Sequence, residues 1–241
     1  MKNDKNTHTL MSSPLWNDIR PEDRTQLLDC LGAARAEYGK KTTIWSGGDP
    51  VPRMGMVLSG EIRILMEDVE GRLNVLVNVS APDLFGEVFA LAGAQSPVTV
   101  YTENGAEVLF LDVQRVTNIC RESCSFHRQF VWNLLQLVAR KNVALNQKIQ
   151  CVGQRTTREK ISAFLSMHQT RVGKNPFTVP FNRSEMADYL CVDRSALSQV
   201  LAQMQEEGLI EYHKNEFRLC HLQKAQTGTF HDDCAPVSHL L

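Results

Sequence analysis

Histidine is missing where many β-rich proteins would need it. The chain has 241 residues and seven histidines, and none of them lies between His8 and His127. A barrel enzyme that holds its metal through strand histidines is therefore excluded from that stretch. There is no P-loop, no nucleophile elbow and no Ser/His/Asp pattern, so an enzyme is not expected. Long apolar runs are also missing, and none approaches the roughly 20 residues that span a bilayer. The opening Met-Lys-Asn-Asp-Lys-Asn-Thr-His lacks the apolar stretch of a signal peptide, which makes a cytoplasmic protein the expectation. The seven cysteines (30, 120, 124, 151, 191, 220 and 234) are dispersed, with no recurring Cys-x2-Cys pair. Reduced thiols are expected, and a zinc ribbon is not. A charge excess is absent too: 26 Lys/Arg against 27 Asp/Glu leaves a net charge of −1. Recognition of a polyanion would have to rest on where single charges sit.

What is present is concentrated between Asn182 and Ile210. The segment reads as two short helices joined by a tight turn. Asn182 can cap the first, with Glu185 in capping-box position. Met186, Ala187 and Leu190 give that helix an apolar face. Cys191 and Val192 form the turn, and Asp193 caps the second helix. Leu197, Val200, Leu201 and Met204 form its buried stripe at helical spacing. The other face carries Arg194, Ser195, Ser198, Gln199 and Gln203, which can donate to and accept from base edges in a major groove. A helix-turn-helix is one reading, and an αα-hairpin inside a bundle is the other. Gly208 to Leu219 alternates around Lys214-Asn215 as a small hairpin would, making a winged helix whose wing lies along phosphates.

Upstream the texture differs. Residues 1–13 are polar and expected to be disordered. Pro14 to Leu31 reads as short helices. From Ala33 to about Val113, β-rich runs at 42–45, 54–58, 62–66, 73–79, 99–102 and 108–111 alternate with turns, one of them at Ser59-Gly60. This spacing suggests a sandwich or barrel. Residues 126–153 form one long candidate helix. Val131, Leu135, Val138, Asn142, Leu145, Ile149 and Val152 recur along it at alternating spacings of 4 and 3, which reads as a coiled-coil seam with one polar layer that would fix register, the alternative being a core helix lying against the β domain. Leu134, Leu137 and Val143 would pack against the β domain from another face. The expected layout is a β domain at 14–125, a dimerisation helix at 126–153, a second domain at 154–222 and a disordered tail at 223–241.

Three stretches carry a family resemblance: Phe85-Gly86-Glu87 before an apolar helix, Val51–Gly60, and Asn182 to Ser198. With the order of β domain, long helix and winged helix-turn-helix, the chain resembles the Crp/Fnr superfamily of bacterial transcription regulators. The resemblance implies an α+β protein with a double-stranded β-helix (a cyclic-nucleotide-binding-like β-roll), a dimer helix and a DNA-binding domain. It implies a homodimer on a palindromic operator, with RNA polymerase as a further partner. Arg194, Ser195, Ser198 and Gln199 are then candidates for base or phosphate contacts. Arg183, Lys214 and Arg218 are candidates for phosphate. The alternative is a β-roll ligand-binding or interaction protein without DNA-binding activity.

The resemblance also frames the effector. Cyclic-nucleotide-binding members hold ribose and phosphate on a Gly-Glu pair and neutralise the phosphate with an Arg-Ser or Arg-Thr pair further on. Gly86, Glu87 and Val88 match the first feature. The later stretch, Gly93 to Val98, contains Ser96 and Val98 but no arginine. Burying a phosphate monoanion without a cation is costly, so cyclic AMP is not the expected effector. Asn142 and Asn146 are candidate effector contacts from the long helix. An iron–sulfur cluster on clustered N-terminal cysteines cannot be built, since Cys30 is the only cysteine before Cys120. A β-roll histidine on haem is excluded, whereas Cys or Met ligation is not. Cys120, Cys124 and His127 form a separate candidate, either a thiol or metal switch or a packed helical corner.

Overall fold

The computed structural model describes residues 10–118 and 124–220, and the chain divides into two compact units after Arg140. In the first unit, 3-10 turns at Pro14–Trp16 and Pro21–Asp23 lead into α1 (Arg24–Cys30). Residues 10–13 depart from the expected disorder. Leu10 is buried in the core, and the buried Ser13 hydroxyl accepts from the Leu15 amide. Residues 1–9, Cys120 and the tail from 221 lie outside the described residues.

A seven-stranded antiparallel sheet follows, from β1 (Ala34–Tyr38), β2 (Thr42–Trp45), β3 (Arg53–Glu67), β4 (Leu73–Ser80), β5 (Leu84–Phe85), β6 (Thr99–Thr102) and β7 (Ala106–Asp112). Its curl comes from β3. The first half of that strand pairs with β7, from Arg53↔Asp112 to Gly60↔Ala106, and the second half pairs with β4, from Glu61↔Ser80 to Glu67↔Leu73. The turn expected at Ser59-Gly60 is instead a bend inside one continuous strand. Gly60 has φ +81°, and a Cβ there would sit 2.3 Å from the Gly105 carbonyl oxygen, so only glycine fits the crossing. β1 was not expected. Its sequence, Ala-Arg-Ala-Glu-Tyr, has no β-branched residue, and pairing with β7 supplies the strand that local propensity does not.

The β3–β4 hairpin closes on Asp68, whose carboxylate accepts from the Glu70 and Arg72 amides at 2.9 Å each and from Arg72 Nε at 3.0 Å. Beyond this clamp β4 is exposed on both faces, including Val75, Leu76 and Val77. Among the described residues it pairs with β3 alone.

The two sheet faces have separate cores. Met54, Met56, Leu109 and Leu111 pack with Leu15, Trp16, Leu27 and Leu31. Val57, Ile62, Val100 and Val108 line the inside of the curl with Phe85, joined by Tyr38, Trp45 and Phe110. After α2 (Glu87–Ala92) and α3 (Val113–Thr117) comes the long helix α4 (Ser125–Val152). Phe130 and Leu134 anchor it in the first core, and Leu137 packs partly buried against the same core with Val131 and Val138, two members of the expected seam. Leu135, Leu145 and Ile149 are 58%, 56% and 55% exposed. Val143, expected to pack inward, is equally exposed and joins that uncovered apolar set.

The second unit contains α5 (Thr157–Val172), β8 (Phe177–Thr178), α6 (Arg183–Leu190), α7 (Arg194–Glu206), β9 (Ile210–His213) and β10 (Glu216–Leu219), with strand order β8-β10-β9. Thr156 and Glu159 form a capping box at the start of α5. Ile161, Phe164, Leu165, Met186, Leu197, Leu201, Met204 and Phe217 are fully buried in its core.

Candidate nucleic-acid interface

Both caps of the helix-turn-helix form as their sequence predicts. Asn182 Oδ1 accepts from the Ser184 and Glu185 amides at 2.9 and 3.0 Å, and Glu185 accepts from the Asn182 amide at 2.8 Å. Asp193 Oδ1 accepts from the Ser195 amide at 2.7 Å, from the Ala196 amide at 3.2 Å and from the Ser195 hydroxyl. The Ser195 hydroxyl, and then those amides, hold the Asp193 carboxyl below its usual pKa. Between the helices Cys191 takes a left-handed conformation, φ 52°, which turns the chain in two residues.

This geometry points one face of α7 outward. Leu197, Leu201 and Met204 are fully buried, while Arg194, Ser195, Ser198 and Gln199 are exposed. The Ser198 hydroxyl donates back to the Arg194 carbonyl at 3.0 Å, and the Ser195 hydroxyl donates to Asp193. Both serines therefore turn their donors inward and offer acceptors outward. Arg194, Gln199 and Gln203 are the long exposed donors of this face.

The wing redistributes the expected phosphate contacts. Lys214 is exposed at the hairpin tip with φ 53°. Arg218 pairs with Glu211 at 3.6 Å on the exposed wing. Arg183 points elsewhere than expected. Its guanidinium lies over the Tyr212 and Phe217 rings, at 4.8 and 5.1 Å from their centroids. Burial pulls its pKa below the usual arginine value. Its charge is engaged in cation–π packing of wing on helix, a role that sequence spacing cannot reveal.

His168 is a second residue that the sequence reading passed over. It is 2% exposed, its ring is 4.5 Å from that of Phe164, and Arg171 Nη2 donates to its Nδ1 at 3.1 Å. Burial, and then the Arg171 charge, lower its pKa to about 4. Its only sequence signal is helical spacing from Ile161, Phe164 and Leu165.

The first unit places the expected effector residues unevenly. Gly86 starts α2 with φ +73°, and a Cβ there would meet the Trp45 ring at 2.7 Å. Glu87 is buried, whereas Val88 turns its side chain to solvent and cannot line an interior site. The buried Ser96 hydroxyl donates to the Val98 carbonyl at 2.8 Å, which commits it to its own turn. Arg63 lies 3.6 Å from Glu61 and 3.8 Å from Glu103, so its charge is already met. Asn142 and Asn146, in the second unit, are exposed and bond to each other at 2.8 Å. Among the described residues no group of three His, Cys, Asp or Glu side chains could hold a metal ion, and no helix is long and apolar enough to cross a membrane.

Comparison with known proteins joins the two units. Residues 35–123 match the cyclic nucleotide-binding domain, and residues 155–224 match the Crp-like helix-turn-helix domain. The chain belongs to the Crp/Fnr superfamily. This Crp/Fnr protein is similar to the transcriptional regulatory protein btr of Bordetella pertussis, 23% identical over 210 residues, 84% of each chain. It is also similar to the cyclic AMP receptor protein of Thermus thermophilus, 24% identical over 202 residues, 83% of this chain and 89% of that one. Its fold is shared with the OCPA complex of CprK at a TM-score of 0.58 and 13% identity, covering 85% of this chain and 92% of that one. It is a DNA-binding transcription regulator with a cyclic-nucleotide-binding-type domain, and the superfamily's members are not enzymes.

Proposed function

We propose that this Crp/Fnr regulator binds a palindromic operator as a homodimer, reading each half-site with α7, and that its effector is not cyclic AMP. The observation that carries the reading is the division of α7: three fully buried apolar residues on one side, and Arg194, Ser195, Ser198 and Gln199 exposed on the other. The exposed Leu135, Leu145 and Ile149 of α4 support self-association, because apolar side chains repeated along one helix are stabilised when a second copy covers them. On DNA the two recognition helices must sit about 34 Å apart, one helical turn. An effector acts by binding that arrangement better than the alternative. The absence of arginine from residues 93–98, and the prior pairing of Arg63, support an effector other than a phosphate monoanion.

Arg194 and Lys214 separate the two kinds of DNA contact. Arg194→Ala should relax base preference at one position per half-site, since a bidentate guanine contact gives about 1–3 kcal/mol of discrimination. Lys214→Ala should weaken all sequences alike and flatten the salt dependence by about one unit per protomer. Binding-site selection checks both. An unchanged logo for Arg194→Ala refutes its assignment, and no binding to any palindromic pool refutes the function.

A further inference from the structure

We infer that the first unit carries a ligand site outside the curl of the sheet, in a cleft between the end of α3 and the start of α4. It would take a small, mainly apolar molecule with one hydrogen-bond donor. This inference rests on the reading of the chain as an effector-responsive regulator. Aromatic rings crowd the inside of the curl. Trp45 contacts Phe85 and Phe110 at centroid distances of 5.2 and 6.4 Å, Phe110 contacts Tyr38 at 6.4 Å, and Trp45 takes the space beside Gly86. The cleft, by contrast, offers about 290 Å³ lined mainly by Val116, Cys124, His127, Val131, Trp132 and Leu135, with Thr117, Asn118 and Arg128 completing its wall.

His127 gives the cleft its chemistry. It is 4% exposed, and its Nε2 is 3.0 Å from the Val116 carbonyl. A carbonyl only accepts, so Nε2 carries a proton, and in the neutral ring Nδ1 is then the acceptor. Nδ1 is buried and has no hydrogen-bond partner. An acceptor left unsatisfied in an apolar setting costs free energy, which a ligand O–H or N–H would recover. A cleft of about 290 Å³ has room for a substituted two-ring aromatic. Trp132, exposed at 54%, gives such a ring a face to stack on. Val131 and Leu135 also belong to the seam proposed for dimerisation. Occupancy of the cleft therefore alters the surface that the partner copy meets.

The test uses the reduced full-length protein with 1-naphthol and, as the probe without a donor, 1-methoxynaphthalene. Calorimetry should show saturable binding of 1-naphthol with about fivefold preference over the ether, the effect of one hydrogen bond. His127→Phe should bring the two probes to equal affinity. Trp132→Ala, a surface change that leaves the fold intact, should weaken 1-naphthol about fivefold. Bound 1-naphthol should slow alkylation of Cys124, followed by peptide mass spectrometry. If His127→Phe does not fold, Trp132→Ala and Cys124 protection decide. No saturable binding below about 1 mM overturns the inference. So does binding that leaves Cys124 alkylation and Trp132→Ala affinity unchanged. Gel shifts on palindromic DNA with and without 1-naphthol separate the two readings. DNA binding without naphthol binding refutes the cleft alone, absence of DNA binding refutes the regulator reading, and naphthol binding that leaves DNA affinity unchanged refutes the effector role of the site.

Discussion

Acidification should destabilise the second unit largely through His168. The ring is buried against Phe164, with Arg171 donating to Nδ1, and its pKa falls from 6.5 to about 4. In the unfolded chain it titrates near 6.5. Above about pH 6.5 the ring is neutral in both states, and its contribution to stability is complete. Between about pH 6.5 and 4 the unfolded chain takes up a proton that the folded chain refuses, so stability falls as the pH falls. At about 1.36 kcal/mol per pH unit the whole loss is about 3 kcal/mol, with about 2 kcal/mol gone by pH 5. In a unit of this size that lowers the melting midpoint by roughly 10 °C. Carboxylates with lowered pKa values in the same unit, such as Glu159, Asp193 and Glu207, also lose stability in acid. The informative quantity is therefore the difference from His168→Phe, which keeps an aromatic ring in the site and cannot titrate. Urea midpoints at pH 7 and 5 can be read from the methyl signals of Met186 and Met204, both fully buried in this unit. The wild type should lose about 2 kcal/mol more than the variant between those pH values. Equal losses in the two proteins, or a folded His168 that titrates near 6.5 by NMR, would refute the reasoning.

Three further outcomes are expected. Arg183→Gln should destabilise the second unit by about 1 kcal/mol through lost cation–π packing on Tyr212 and Phe217, yet leave the salt dependence of DNA binding unchanged; a flattened slope would return Arg183 to the phosphate contacts. Leu145→Asp with Ile149→Asp, both exposed on α4, should give monomers with weak DNA binding, and light scattering that still reports a dimer would place the seam elsewhere. Calorimetry with cyclic AMP should show no binding at about micromolar concentration, and a micromolar affinity would mean that a cation reaches the site after all.

Local signals were read well because they were self-contained. Asn182 with Glu185, and Asp193 directly after the turn, carry capping chemistry within four residues of chain, and both caps form. The buried stripe of α7 is equally local. The failures are all tertiary. β1 exists because β7 pairs with it, and β3 runs through Ser59-Gly60 because the sheet curls there. Leu10 and Ser13 are ordered because a core receives them. Val143 fits a helical pattern yet lies uncovered, since spacing names a face without naming what packs on it. The same limit applies to the sites. Composition identifies Arg183 and His168 as polar, but only the three-dimensional neighbours show that one is held by rings and the other is kept neutral.

The hairpin that closes on Asp68 has a consequence for the protein in the tube. Leu73 to Ser80 is Leu-Asn-Val-Leu-Val-Asn-Val-Ser, eight residues without a charge or a proline. Leu73, Val75, Leu76 and Val77 stand in water on its two faces, and among the described residues one edge of its ladder is open. That combination is a template for another chain's backbone, and charges that would repel such a visitor gather only at the near end, at Glu67, Asp68, Glu70 and Arg72. A lysine at one outward position of this strand, remote from the recognition helix in sequence, is therefore expected to act as a gatekeeper and to raise the concentration at which the solution clouds.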